Sequence, residues 1–242
     1  DLIELTGKFQ SSREYIQDYL DAKGESIKYY ISEVTTPGAS YEALDLSLGQ
    51  TPVFSHNNVE QKFIEEVFQS IDNYISLDFS RTFDKTKADI SIYKTPTFSD
   101  GSMAGQVQSP NLPGIEYDGN IEVYWLVQEG GPYLTGDYSD IRAVNAGTII
   151  HEIGHALSLT HPEGNGTSNN FSESDTNLSY NQVFDLTDST APTPTWTDLD
   201  IKALQFIWGS EDKFSISTAN NQQEISYGDS ISSAENPFSY AA

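Results

Sequence analysis

Three of the four histidines in this 242-residue chain fall within eleven residues, HEIGHALSLTH (151–161), with a glutamate beside the first. On a helix, positions four apart lie one turn above each other, so His151 and His155 can direct two ring nitrogens at one metal ion. Glu152 then sits one step round, beside the metal and not on it, where a carboxylate can act as general base on a bound water. Those are the mechanics of H-E-x-x-H. His161 is out of reach if the helix simply continues. The helix must therefore break and bring His161 back, completing a three-histidine set that leaves zinc an open catalytic position. In a chain this poor in histidine, H-E-x-x-H alone arises by chance in roughly one sequence in several hundred, and the third histidine makes coincidence much rarer. His56 reads differently. It precedes a helix with no partner nearby in the sequence, and is expected to be an ordinary packed residue.

The elements that must position these residues are partly legible. AVNAGTIIHEIGHAL (143–157) is apolar on nearly all sides apart from the histidines and Glu152, which describes a buried helix. NNVEQKFIEEVFQSIDNYISL offers Asn58 as an N-cap with Gln61 three residues on. Phe63, Ile64, Val67, Phe68, Ile71 and Ile75 follow at helical spacing, so an amphipathic helix is expected over 58–76. Residues 25–34, 88–93 and 120–127 are β-branched and aromatic enough for strands, and 103–108 is a weaker one. TTPGAS and SPNLPG mark turns, and 161–195 is rich in Gly, Pro, Ser and Asn, hence mostly loop. Thr197 with Asp200 three residues later opens a short capped helix, DLDIKALQFIW. The division expected is an N-terminal helical extension (1–24), a catalytic domain (25–209), and a polar tail or the start of a following module with at most two short strands (210–242).

Composition narrows the partners. Lys and Arg total 12 against 36 Asp and Glu, a net charge of −24 that repels phosphate backbones and anionic lipid headgroups. Nucleic acid is therefore not an expected partner, and no apolar run is long enough to insert into a membrane. With no cysteine, the chain can build neither a disulfide nor a thiolate site, so zinc must be held by histidine, carboxylate or tyrosine. The acidity also suits bound cations, and structural Ca2+ is a secondary expectation. The start, DLIELTGKFQ, lacks the basic and apolar regions of a secretory signal. Either such a signal was removed, or the route does not use one.

HEIGHALSLTHP resembles the long zinc signature of the metzincin metallopeptidases, and Pro162 after the third histidine marks the serralysin branch in particular. NLSYN (177–181) sits where serralysins carry their Met-turn, with Ser179 and Tyr180 matching, and TDLDIKALQFIWG resembles the helix that closes the serralysin catalytic domain. Two residues depart from the pattern. Ser158 replaces the glycine at the turn after the helix, where a non-glycine in a left-handed conformation costs on the order of 1 kcal/mol. Leu178 replaces the methionine beneath the ligands, a change of similar volume costing less than about 1.5 kcal/mol. The calcium-binding nonapeptide repeats that follow in serralysins are not found after 210.

The resemblance implies an α/β fold: a twisted, mainly parallel five-stranded sheet with one antiparallel edge strand, backed by the two helices, above a small irregular subdomain holding His161 and Leu178. It implies a monomeric, extracellular or cell-surface zinc endopeptidase acting on proteins or peptides. Zinc would lower the pKa of water, Glu152 would take the proton and pass it to the departing amine, and Tyr180 would ligate zinc at rest and support the oxyanion in the transition state. Substrate would pair, extended, with the edge strand at 103–108. The plainer reading of Tyr180 is a packed aromatic. Two other functions fit the same residues: a zinc-containing binding or adhesion module that has lost activity, and a processing protease for its own precursor or a surface-layer protein.

Overall fold

In SIKYYI, apolar residues alternate with polar or half-exposed ones, and Ser26–Ile31 forms strand β1 with Ile27, Tyr29 and Ile31 buried on one face. The structure, a computed structural model, describes residues 11–33, 53–96, 104–108, 120–183 and 190–211. In it β1 lies between β2 (Asp78–Arg81) and β3 (Ile90–Thr95), both parallel to it. β3 pairs in parallel with β5 (Ile121–Leu126), and β4 (Gly105–Gln108) runs antiparallel along the outside of β5. The order is β2-β1-β3-β5-β4, the mixed five-stranded sheet expected. Consecutive residues of β3 and β5 are buried, as in strands covered on both faces. The short edge strand β2 is not among the strands expected: DFSR has four residues, none of them buried, so it carries little pattern. The expected turns at TTPGAS and SPNLPG, Met103, and the segment from 212 onward lie outside the described residues.

Parallel neighbours need a crossover, and between β1 and β2 it includes helix α2 (Asn58–Asp72). Its N-cap is Asn57, one residue before the position expected. The Asn57 side chain accepts the Val59 and Glu60 amides, and Glu60 reaches back to the Asn57 amide at 2.8 Å, so Glu60 and not Gln61 closes the capping box. The helix also ends earlier, at Asp72. Ile75 is still fully buried, but from an irregular turn that bridges to Ser210. Phe63, Ile64, Val67, Phe68 and Ile71 bury one face, each contributing roughly 1.5–3 kcal/mol of transfer free energy. Phe68 stacks on Tyr29 of β1 at 4.2 Å between ring centres.

Helix α1 (Ser11–Asp21) adds Ile16 and Leu20 to the same core, and all described residues fall in one compact unit. Helix α3 (Ala143–Ala156) packs on β5 and β4, and α4 (Asp198–Trp208) begins with the expected Thr197–Asp200 capping box. Residues 157–183 carry only one short 3-10 turn, Pro162–Gly164. A two-residue parallel pair, β6 (Tyr133–Leu134) with β7 (Thr190–Ala191), ties the loop beyond them to the chain ahead of α3. Among the described residues, no helix is long and apolar enough to cross a membrane.

Candidate metal centre

The site begins with how α3 stops. Leu157 is its C-cap, and Ser158 takes the left-handed conformation at φ 74. The Ser158 amide bonds the His155 carbonyl and the Leu159 amide bonds the Gly154 carbonyl, each at 2.9 Å. That pair of reverse bonds is a Schellman motif, which closes the helix and turns the chain back on itself. The turn expected at Ser158 is therefore present, with a serine where glycine would be unstrained, and its buried hydroxyl has no partner among the described residues. Beyond it, His161 returns beside the two helical histidines.

The three Nε2 atoms converge. His161 Nε2 lies 3.2 Å from that of His151 and 3.1 Å from that of His155. The other ring nitrogens fix the protons: His151 Nδ1 donates to the Asn177 carbonyl at 2.7 Å, and His155 Nδ1 to the Leu159 carbonyl at 2.8 Å. A carbonyl can only accept, so in the neutral rings Nδ1 carries the hydrogen and both Nε2 lone pairs point inward. His161 can supply at most one proton between them. Burial lowers the basicity of all three, His155 to about 4, and for His151 and His155 the neighbouring imidazoles add to it. Three inward-facing ring nitrogens thus share at most one imidazole proton among them.

A dication fits that set. Zinc–nitrogen bonds of about 2.0–2.1 Å at tetrahedral angles put donors about 3.3 Å apart, close to the separations seen, and three imidazoles are a ligand set zinc uses in open sites. Among the described residues, these histidines are the group of three or more His or acidic side chains able to share an ion.

Beneath them the turn at 176–180 is braced from α4. Asp200, fully buried, accepts the Thr176 hydroxyl at 2.6 Å, the Asn177 amide at 3.1 Å and the Asn177 side chain at 2.7 Å, besides the Thr197 amide of its own cap. Asp200 therefore holds the residue whose carbonyl orients His151. Leu178, also fully buried, packs under Gly154 of the histidine helix. The sequence marks Asp200 as a helix cap but carries no sign of this second duty.

Glu152 lies beside the histidines with its carboxyl buried, which pushes its pKa up to about 8. It rests against the backbone of edge strand β4 at Gly105, where an added Cβ would overlap its carboxyl group. Tyr180 also comes to the site: its hydroxyl is 2.6 Å from His161 Nε2, and its ring stacks on His151 at 5.2 Å. Burial, then the charge of Glu152, raises the phenol to about 12. All five expected site residues are thus brought together. His56 stands apart, with Nδ1 on the Ser32 carbonyl at 3.1 Å and Nε2 accepting the Trp125 indole N–H at 3.0 Å, the packed role expected of it. No protein-family model matches the chain, and no curated protein matches it at a significant level.

Proposed function

We propose that the chain is a zinc-dependent endopeptidase of the serralysin branch of the metzincins, cleaving extended protein or peptide segments outside the cell or at its surface. The observation that carries this reading is the convergence of three inward-facing Nε2 atoms with a buried carboxyl beside them that takes no part in holding the histidines. His151, His155 and His161 would hold the ion, with Tyr180 as a fourth ligand at rest. Bound there, zinc would supply Lewis acidity towards a carbonyl and bring water within reach of deprotonation near neutral pH.

The remaining roles belong to the chain. Glu152 is the proton carrier, taking a proton from the attacking water and delivering it to the departing amine. Its carboxyl is raised by burial in the protein alone; a cation alongside favours the carboxylate and draws it into the range of a base. Tyr180 O–H is the donor available to the oxyanion. Extended substrate has a natural neighbour in β4, which is hydrogen-bonded to β5 on one side, forms the edge of the sheet, and runs past Glu152 at Gly105.

Zinc content and cleavage of denatured casein test this directly. The wild type is expected to hold one zinc per chain and to cleave. Glu152→Ala is expected to keep the zinc and lose cleavage by several orders of magnitude, because the base goes while the ligands stay. Near-wild-type cleavage by that variant would sink the mechanism. A zinc-loaded but inactive wild type would instead favour a binding module.

A further inference from the structure

Gly166 has no backbone need to be glycine, since its φ is not positive. What it lacks is room. A Cβ added there would overlap Cδ2 of the Tyr180 ring and come within 2.5 Å of Cε2 and 3.0 Å of Cγ, where unstrained carbon atoms stay about 3.5–4.0 Å apart.

The two backbones cannot easily separate to relieve such a clash. The Gly166 carbonyl accepts the Tyr180 amide at 2.6 Å and the Ser179 hydroxyl at 3.4 Å. The Asn181 side-chain amide ties the same two segments a second time, donating to the Ser168 carbonyl at 2.6 Å and the Phe171 carbonyl at 2.7 Å. The ring is the part free to yield. Tyr180 is 53% exposed, so it can rotate outward into water, and rotation takes its hydroxyl off His161.

We infer that Gly166 is the positioning residue for Tyr180: its bare Cα is the seat on which the ring lies while the hydroxyl reaches the histidine cluster, and a side chain at 166 turns the ring out of the site. This rests on the proposed role of Tyr180 as metal ligand and oxyanion donor. Gly166 acts through the ring, since it is glycine and offers no side chain of its own.

The test compares wild type, Gly166→Ala, Tyr180→Phe and the double variant, each loaded with Cu2+ for spectroscopy and with Zn2+ for kinetics. A phenolate oxygen on Cu2+ gives a visible charge-transfer band, a readout independent of turnover. Wild type is expected to show the band, and all three variants to lack it. Gly166→Ala is expected to keep full zinc and an unchanged thermal midpoint, because φ at this position is not in the left-handed region that penalises a side chain. Its kcat is expected to fall about 10- to 1000-fold, as in Tyr180→Phe, with KM little changed. Added to Tyr180→Phe, the glycine change is expected to cost nothing further. A full band and wild-type kcat in Gly166→Ala would overturn the inference. So would an equal loss of kcat when Gly166→Ala is added to Tyr180→Phe, or a fall in zinc content or thermal midpoint, since the backbone and not the ring would then have given way. A wild type without the band also overturns it, and zinc-dependent cleavage by that protein would show the proposed peptidase function standing without Tyr180 as a ligand.

Discussion

His56 and the three histidines of the site have been withdrawn from water to a similar end: burial takes His56 down to about 3 and His155 to about 4, and lowers His151 and His161 as well. The difference lies in the second ring nitrogen. At His56 the protein uses both, one donating to Ser32 and one accepting from Trp125, so the imidazole is a rigid link between the loop before α2 and strand β5. At His151 and His155 the protein uses only Nδ1, and the free Nε2 atoms are turned toward each other's neighbour His161. Depressed basicity alone therefore does not separate the candidate ligands from His56 in this chain. The direction of the second ring nitrogen does: toward Trp125 in one case and toward the other imidazoles in the rest.

The sharpest way to break this contrast is to remove one histidine of each kind. His155→Ala is expected to abolish stoichiometric zinc binding, and cleavage with it, because two imidazoles remain. His56→Phe is expected to retain full zinc while losing about 1–3 kcal/mol of stability through the unpaired Trp125 N–H. Zinc titration and denaturant unfolding of both variants read the two effects separately. If His56→Phe lost its zinc, the two classes would not be separate.

Acidification sharpens the same contrast. In the window between about 3 and 6.5 the unfolded chain protonates His56 while the folded chain does not, so the unfolded state binds more protons. Stability from this group is full above pH 6.5 and is lost as the pH falls toward 3. Unfolding of the zinc-free protein measured from pH 7 to pH 4 is expected to show a shallower decline for His56→Phe than for wild type. Equal slopes would mean that the His56 ring is protonated in the folded protein.

The smallest effect expected is at the turn that returns His161. Ser158→Gly removes both a left-handed non-glycine and a buried hydroxyl without a partner among the described residues, against the added freedom of glycine in the unfolded chain. The variant is expected to be neutral or stabilised by up to about 1 kcal/mol, with zinc affinity unchanged. A loss of more than about 1 kcal/mol in thermal unfolding would show that the hydroxyl is bonded after all.

The parts of this architecture legible in the sequence are those with local or periodic signals. The histidine spacing, the helix that carries it, the Thr197–Asp200 box and the β-branched and aromatic content of β1 each lie within one element. The N-cap of α2 lies one residue from its expected place because Asn57 and Asn58 are adjacent and Glu60 and Gln61 offer equal partners; only the extended conformation of Asn57 decides between them. Links across the chain have no such signal. Nothing near His56 announces Trp125, 69 positions away, and nothing near Asp200 announces Asn177, 23 positions back. Gly105 and Gly166 read as ordinary glycines until Glu152 and Tyr180 are seen lying against them.

The brace from Asp200 also sets an order in time. Synthesis begins at the N-terminus, so α3 and its two histidines are made well before α4. Until residue 200 has emerged and docked, the Asn177 carbonyl that aligns His151 lacks its brace from α4. Trp208, at the far end of α4, then closes the other side by donating its indole N–H to the Leu157 carbonyl at 2.9 Å, at the cap of the histidine helix. Assembly of the centre is thus deferred to the last helix of the described unit, and a chain still on the ribosome would carry the three histidines without the geometry that gathers their Nε2 atoms.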